Sequence, residues 1–234
     1  MSKFFANIII ICLFSGMVAC ERQSFTVSGH LDDCSSNFLI IDEIQPDGIT
    51  VLDTILLIDG DFRYPIKNRE ESIYRLRLND TTFISFMGKK GDKLQISGNA
   101  KDLLHTYQIC GNKASKILWE VNQRVDAMYR LTDSLSQLFK TAQIEGKTDS
   151  IIPLLDSCYY THFQSCKSYL QNIIENNPDQ LVVLPVFYQK VGVRSFFSET
   201  NDRALWEEML THLQKHYPDN AHVKALQERH STKP

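Results

Sequence analysis

The sequence predicts an α+β fold, with an N-terminal antiparallel β-sandwich or barrel followed by an α-helical domain that contains a long helical hairpin. Two observations predict it. From Phe25 to about Cys110, apolar residues take every second place in short runs that end at Gly, Asn, Asp or Pro, which is typical of short antiparallel strands. After Gly111, apolar residues recur every three or four positions, which is the period of helices.

The first nineteen residues have the order of a secretory signal peptide: a basic start, an apolar stretch and then small residues. The apolar stretch is shorter than the roughly 20 residues that span a bilayer as a helix. Val18-Ala19-Cys20 resembles the lipobox of bacterial lipoproteins, in which the cysteine is acylated. We therefore expect a signal peptide over residues 1–19, lipid on Cys20 and a linker over residues 20–24. The alternatives are an ordinary signal peptide with an incidental cysteine and an uncleaved anchor.

The β domain is expected over residues 25–111. Asp59-Gly60-Asp61 lies between two of its apolar runs and lacks the 12-residue ligand spacing of an EF-hand calcium loop, so we interpret it as a hairpin turn. Successive runs begin at Phe25, Phe38, Ile49, Phe62, Tyr74, Phe83 and Leu94.

The helical domain is expected over residues 112–230. Two helices of about 30 residues, the second capped by Thr148 or Asp149, predict an antiparallel hairpin about 45 Å long. The first apolar stripe is Leu118, Val121, Val125, Met128, Thr132, Leu135 and Phe139. The second stripe is Ile152, Leu155, Tyr159, His162, Cys166, Tyr169 and Ile173.

Three shorter helices are expected after the hairpin. The first covers Gln180 to Val191, the second runs from about Asp202 to Tyr217, and the last begins at Pro218. Residues 231–234 are expected to form a frayed tail.

The charge balance is slightly acidic. After residue 19 the chain has 24 basic and 28 acidic residues, which leaves no basic excess to neutralise phosphates, so we expect no nucleic-acid partner. No later apolar run approaches the length of a membrane span. We expect attachment to the membrane through the N-terminal lipid. Glu21-Arg22-Gln23 lacks the aspartate that often retains lipoproteins at the inner membrane, which favours the outer membrane of a Gram-negative cell envelope.

A set of turn and strand motifs carries a family resemblance. In the β half these motifs are Phe25-x-Val27-x-Gly29, Asp53-Thr54, Asp59-Gly60-x-Phe62, Ile73-Tyr74, Gly91-Asp92-x-Leu94-x-Ile96-x-Gly98 and Gly111; the helical half adds Asn177-Pro178 and His216-Tyr217-Pro218. The β half resembles a domain of unknown function at the N-terminus of envelope lipoproteins of the thiol-disulfide interchange type. The helical half resembles the spacer that follows it there. Together the two resemblances cover nearly the whole mature chain.

The cysteines depart from that family. In its members a thioredoxin-like domain with a Cys-x-x-Cys pair follows the spacer, whereas this sequence has no Cys-x-x-Cys, and its cysteines stand at positions 12, 20, 34, 110, 158 and 166. The resemblance therefore implies a fold and a location, but it assigns redox activity to no residue here.

Four cysteines remain beyond the leader and the anchor. Cys34 and Cys110 form a candidate disulfide, and the alternative is two separate half-buried thiols. Cys158 and Cys166 stand eight residues apart on one predicted helix, about 12 Å along its axis. That distance is too long for a disulfide, and too long for both thiols to share a zinc ion with His162.

Glu208, His212 and His216 form a ladder on the predicted fourth helix. The two histidines could chelate a metal as an i, i+4 pair, but they lack the His-Glu-x-x-His arrangement, and we interpret the ladder as a solvent-exposed face. The sequence contains no Gly-x-Ser-x-Gly elbow, phosphate-binding glycine loop or nucleotide-binding fingerprint. We therefore assign no catalytic residue, no metal site and no cofactor.

These observations predict a non-catalytic, lipid-anchored protein of the cell envelope that acts as a binding or assembly module and has a protein partner in the envelope. The first alternative is an accessory protein of a periplasmic thiol-disulfide redox system, which would lend its β domain to another protein or use Cys34 and Cys110. The second is an enzyme with an unrecognised site.

Overall fold

The computed structural model describes residues 24–67 and 70–231, and it has the predicted α+β architecture, with sheets first and helices after them. The chain divides into two compact units between Lys116 and Ile117. The expected boundary after Gly111 lies five residues earlier, and the helix that begins at Lys113 contributes its first turn to the first unit. The predicted signal peptide, Cys20 with residues 21–23 of the linker, and residues 232–234 lie outside the described residues.

The first unit contains eight strands among the described residues: β1 (Phe25–Asp32), β2 (Phe38–Gln45), β3 (Gly48–Leu56), β4 (Asp61–Ile66), β5 (Ser72–Arg77), β6 (Phe83–Gly88), β7 (Lys93–Asn99) and β8 (Gln108–Cys110). They form two four-stranded sheets, with strand orders β4-β1-β7-β8 and β3-β2-β5-β6. A 3₁₀ turn and the short helix α1 (Leu103–Thr106) connect β7 to β8.

The two sheets pack face to face around one apolar core, which makes this unit a β-sandwich. The ring of Phe25 in β1 meets that of Tyr74 in β5 with centroids 5.0 Å apart, and Tyr74 stacks on Phe86 in β6 at 5.6 Å. Core residues take alternate positions along the strands because strand side chains point to opposite faces. Other fully buried side chains are Leu31, Leu39, Ile41, Leu76, Ile84, Leu94 and Ile96.

One strand pairing departs from the predicted antiparallel arrangement. β1 runs parallel to β7, with Thr26 opposite Lys93, so the first sheet is mixed. The two strands approach so closely at Gly29 that a Cβ atom there would lie 1.8 Å from the Ile96 carbonyl oxygen, and only glycine fits. Alternation in the sequence reports which residues face the core, but it carries no information about strand direction.

The chain reverses between β3 and β4 in a tight turn. Asp59 and Gly60 have positive φ angles of 52° and 84°, and Ile58 and Asp61 exchange both of their backbone hydrogen bonds across the turn. Two successive residues with positive φ are typical of the type I′ hairpin turn, which Asp-Gly favours. The interpretation of Asp59-Gly60-Asp61 as a hairpin turn is confirmed.

The outer face of the second sheet carries a buried carboxylate. Asp42 of β2 is fully buried, and its Oδ2 accepts hydrogen bonds from Arg75 Nε at 2.8 Å and from Arg77 Nε at 2.9 Å. Both arginines belong to the neighbouring strand β5, and the Arg75 guanidinium also lies over the Phe83 ring. Burial of the Asp42 charge is tolerated because these two guanidinium groups neutralise it.

Replacing Asp42 with asparagine should destabilise the β-sandwich by about 3–5 kcal/mol, because two largely buried guanidinium groups lose their counter-charge. Faster hydrogen–deuterium exchange of the β2 and β5 amides in the full chain measures this loss. Asp80→Asn is the matched control, since Asp80 pairs with the same Arg77 but its side chain is 93% exposed, and little change is expected there. Wild-type exchange rates in Asp42→Asn would contradict the role given to this carboxylate.

The second unit is helical, and α2 (Lys113–Ile144), whose first turn lies in the first unit, forms the predicted hairpin with α3 (Thr148–Asn176). The two helices are antiparallel: Arg124 donates to Ser165 at 3.0 Å, while Gln143 and Ile152 line one groove near the connecting loop. The remaining elements are α4 (Val183–Phe187), β9 (Lys190–Val191), β10 (Arg194–Ser195), α5 (Arg203–His216) and α6 (Ala221–Ser231).

The predicted stripe of α3 is correct at Cys166, which is buried, and is displaced by one position around it. Phe163, Leu170 and Ile174 are the other buried residues of the helix, whereas the predicted His162 is exposed and Tyr169 and Ile173 are only partly buried. The packing partner of α3 decides which face is covered, and α4 lies against α3.

The start of α3 also differs from the prediction. The helix begins at Thr148, and Lys147 takes the N-cap position without a side-chain hydrogen bond to the backbone. Thr148 and Asp149 lie within the first turn of the helix, so the predicted capping role is wrong for both.

The predicted third helix is mostly wrong, because only Val183–Phe187 within it is helical. The small β9–β10 hairpin follows, turning at Gly192 with φ of 58°. α5 agrees with the predicted helix and buries Trp206, Met209, Leu210 and Leu213. The last helix exists as predicted, but it begins at Ala221 instead of Pro218 and includes Ser231, which was expected in the tail. None of the helices within the described ranges combines the length and the hydropathy that a bilayer crossing requires.

Candidate functional site

The ribbon formed by β2 and β3 exposes large apolar side chains on the outer face of the second sheet. Phe38 stands opposite Leu56, and Val51 stands opposite Asp42. Neighbouring apolar side chains exposed in this way mark interaction surfaces in soluble domains. We call four of them the β2–β3 patch: Phe38 (47% exposed), Ile49 (53%), Val51 (56%) and Leu56 (67%).

A β-bulge brings the patch residues to one face. The pairing register of β2 and β3 shifts between Ile41 and Asp42, which leaves Leu52 as the extra residue on β3. Side chains alternate along a strand, so without the extra residue Ile49 and Val51 would point to the face opposite Leu56. The bulge therefore gathers apolar side chains that strict alternation would divide between two faces.

β3 is also the edge strand of its sheet. Among the strands of residues 24–67 and 70–231 it is hydrogen bonded only to β2, so no described strand pairs with its second edge in the sheet. Proteins commonly protect such edges with lysine, proline, short strands, β-bulges or inward-pointing charges. β3 has nine residues and contains neither lysine nor proline; its bulge at Leu52 interrupts the edge and leaves a regular stretch on either side. An additional strand could therefore pair with it.

The β2–β3 ribbon lies in a segment of the sequence whose charged residues, histidine aside, are all acidic. Between residues 24 and 62 the sequence contains eight acidic residues and no lysine or arginine. Asp42 is neutralised within the sheet, whereas Asp47 in the β2–β3 turn and Asp53 within β3 are exposed. The edge strand and its turn therefore carry two exposed carboxylates beside the apolar patch, while Arg75 and Arg77 of β5 hold Asp42 on the outer face.

A groove of about 540 Å³ lies on the outer face of the first sheet, lined by β1, β4, β7 and β8. Its most organised group is His30, whose Nδ1 lies 2.9 Å from Asp61 Oδ1 and whose Nε2 lies 3.3 Å from Asp32 Oδ1. The hydrogen bond to Asp61 raises the pKa of His30 above its ordinary value. Both imidazole nitrogens thus have carboxylate partners within the groove.

The described cysteines are free thiols, including the candidate pair Cys34 and Cys110. The two cysteines lie beside different parts of β7. Cys110 stands opposite Gln95. Cys34 follows Asp33, whose carboxylate accepts a hydrogen bond from Asn99, four residues further along β7. Four residues of strand amount to about 13 Å, and a disulfide needs Cα atoms within about 7 Å. The folded sandwich keeps the two thiols apart, so their pairing stays a prediction and would need backbone movement.

The cysteines should differ sharply in reactivity. Cys110 is exposed and Cys166 is buried in α3, where burial raises the pKa of the thiol. At neutral pH we expect N-ethylmaleimide to label Cys110 first and Cys166 last, because the accessible thiolate is the reactive form. Mass spectrometry of the native protein measures the order, with urea-unfolded protein as the control. Early labelling of Cys166 in native protein would be inconsistent with its burial.

The turn after α3 and the end of α5 bring together three side chains able to bind a metal. Asp179 Oδ1 lies 2.7 Å from His212 Nδ1 and 3.2 Å from His216 Nδ1. The ligand atoms of these three side chains all lie within 4.8 Å of one another. No other group of three His, Cys, Asp or Glu side chains within residues 24–67 and 70–231 converges in this way. We call it the Asp179 cluster.

The Asp179 cluster could be foreseen only in part. His212 and His216 share a helix face, as their spacing predicts, but the carboxylate beside them is Asp179 and not Glu208 of the predicted ladder. Asp179 and His212 are 33 residues apart, so only the tertiary fold joins them. The local signal is the helix-ending Asn177-Pro178, which places the next residue in a turn.

The fold and these surfaces define an α+β protein whose sandwich presents an apolar strand edge beside two exposed carboxylates. No protein-family model, no curated protein and no solved structure matches the chain. What the protein does must therefore be inferred from its own residues and their geometry.

Proposed function

We propose that the chain is a non-catalytic, lipid-anchored protein of the bacterial cell envelope that binds a partner protein by strand addition at the β2–β3 patch. One observation carries this proposal: a nine-residue edge strand that exposes apolar side chains. In strand addition the main chain of the edge supplies hydrogen bonds, and side chains along the edge select the partner. The patch offers both.

The partner segment is an extended strand in which apolar and basic side chains alternate. An added strand would place its apolar side chains beside Ile49 and Val51 on the outer face. Its basic side chains would lie close to Asp47 and Asp53, where opposite charge speeds association and aligns the strands. A second copy of this chain is a poorer occupant, because its ribbon carries the same acidic residues and no basic ones.

Lipid on Cys20 would keep this surface beside a membrane. The support comes from the sequence: the lipobox-like Val18-Ala19-Cys20, the short apolar stretch before it, and the resemblance of the strand motifs to envelope lipoproteins. β1 begins at Phe25, five residues after Cys20, and five residues reach at most about 18 Å. Partners within the envelope, at the outer membrane, would therefore meet the sandwich close to the lipid surface.

Replacing Cys20 with alanine should move the protein from the membrane fraction to the soluble fraction, because a chain without acyl groups loses its hydrophobic anchorage. Fractionation of envelopes followed by immunoblotting measures the distribution. Cys34→Ala is the matched control and should stay in the membrane fraction. Processed Cys20→Ala protein that remains with the membrane would contradict the anchor.

Replacing Val51 with lysine should abolish strand addition, because it removes an apolar contact and places a charged group beside the apolar side chains of the partner. The probes are two peptides of alternating isoleucine with lysine or with glutamate, titrated against the full chain. We expect the lysine peptide to bind at least about tenfold more tightly than the glutamate peptide, a difference of about 1.4 kcal/mol.

The matched control is Val193→Lys, since Val193 is a fully exposed valine of the helical unit and its replacement should leave peptide binding unchanged. A photoreactive residue placed at position 51 or at position 193 extends the comparison to intact envelopes, where position 51 should crosslink a strand with basic residues. Equal binding of the two peptides, or full binding by Val51→Lys, would overturn the proposal.

A further inference from the structure

The Asp179 cluster is built on backbone that packing holds in place. His212 and His216 lie in the last turns of α5, next to Leu210 and Leu213, which are buried. On the opposite side, the turn that carries Asp179 is fastened by Asn177, whose side-chain amide donates to the Ile173 carbonyl at 2.9 Å. The positions of the three side chains are therefore set by the fold of the helical unit.

We propose that Asp179, His212 and His216 form a binding site for a divalent cation of the zinc class. Imidazole nitrogen and carboxylate oxygen are the ligands that zinc takes in proteins, with bonds of about 2.0–2.2 Å. Three protein ligands leave a fourth tetrahedral position for water, and all three side chains are partly exposed. The site joins the end of α3 to the end of α5.

The distances within the cluster suit such an ion. Ligand atoms of a tetrahedral zinc lie about 3.3 Å apart, given these bond lengths. The Asp179 oxygen lies 2.7 Å and 3.2 Å from the two Nδ1 atoms, so small side-chain rotations would admit the ion. The two imidazole rings are nearly parallel, with an angle of 3° between them, and stand one above the other on the helix.

The charge around the cluster also favours a cation. Asp179 brings a carboxylate oxygen within 3.2 Å of both imidazole Nδ1 atoms, so the cluster combines one anionic ligand with two imidazole ligands. α5 ends at His216, and the negative end of a helix dipole attracts positive charge within its last turn. Lys215 opposes the cation, because its ammonium group interacts with Asp179. The His216 Nδ1 contact with the His212 carbonyl at 3.0 Å must break when the metal binds.

Isothermal titration calorimetry of zinc chloride into the untagged full chain at neutral pH tests the proposal. We expect one zinc ion per chain, with affinity at least about tenfold weaker in His212→Gln/His216→Gln and also reduced in Asp179→Asn. Zinc should raise the melting temperature of the wild type and leave that of the double variant unchanged. Magnesium should give no binding, because it requires oxygen ligands.

The matched control is His30→Gln. His30 also contacts two carboxylates, but through opposite ring nitrogens, so it cannot hold one ion between them, and zinc binding should match the wild type. Circular dichroism establishes that each variant is folded. If the folded wild type binds no zinc, or if the double variant binds zinc as tightly as the wild type, the cluster is an ion pair only and the proposal is overturned.

Discussion

The register between β2 and β3 is the constraint on which the exposed surface of the sandwich depends. The bulge that sets it lies beside Asp42, whose carboxylate is held by Arg75 and Arg77 of β5. A slip of β2 by one residue would turn Asp42 away from both guanidinium groups and leave buried charges without partners, at a cost of several kcal/mol. The ion cluster thereby fixes β2, and the bulge then decides which side chains of β3 face outward.

The positions of most strands and of the long helices could be predicted from local patterns. Alternation located the β1–β7 region, and the Asp59-Gly60 turn followed from the need for two positive φ angles. The long hairpin followed from helical spacing and the break at Gly146. These features depend on neighbours in the sequence, and there local chemistry and the fold agree.

Other features depend on partners that are distant in the sequence. The parallel pairing of β1 with β7, the burial of Phe163 instead of His162, and the approach of Asp179 to α5 are decided by packing between elements. The edge position of β3 also depends on distant partners. An apolar run has the same sequence pattern in a strand with two neighbours as in an edge strand with one. The sequence therefore located the patch residues but could not show that they form a surface.

The two proposed sites lie in different units and use different chemistry. The β2–β3 patch would bind an extended chain through backbone hydrogen bonds and apolar contacts, whereas the Asp179 cluster would bind an ion through nitrogen and oxygen ligands. Each site draws its residues from one unit, 24–116 for the patch and 117–231 for the cluster. Loss of one site should leave the other intact, so their contributions can be separated by single substitutions.

The parallel pairing of β1 with β7 also governs when this protein can fold. Thr26 pairs with Lys93, sixty-seven residues later, so the pairing of β1 with β7 waits until most of the sandwich has been synthesised. Contacts between distant segments form slowly, because the intervening chain must lose its freedom first. β4, which places Ile66 opposite Phe25 of β1, becomes available earlier, so the two sides of β1 are filled at different stages of synthesis.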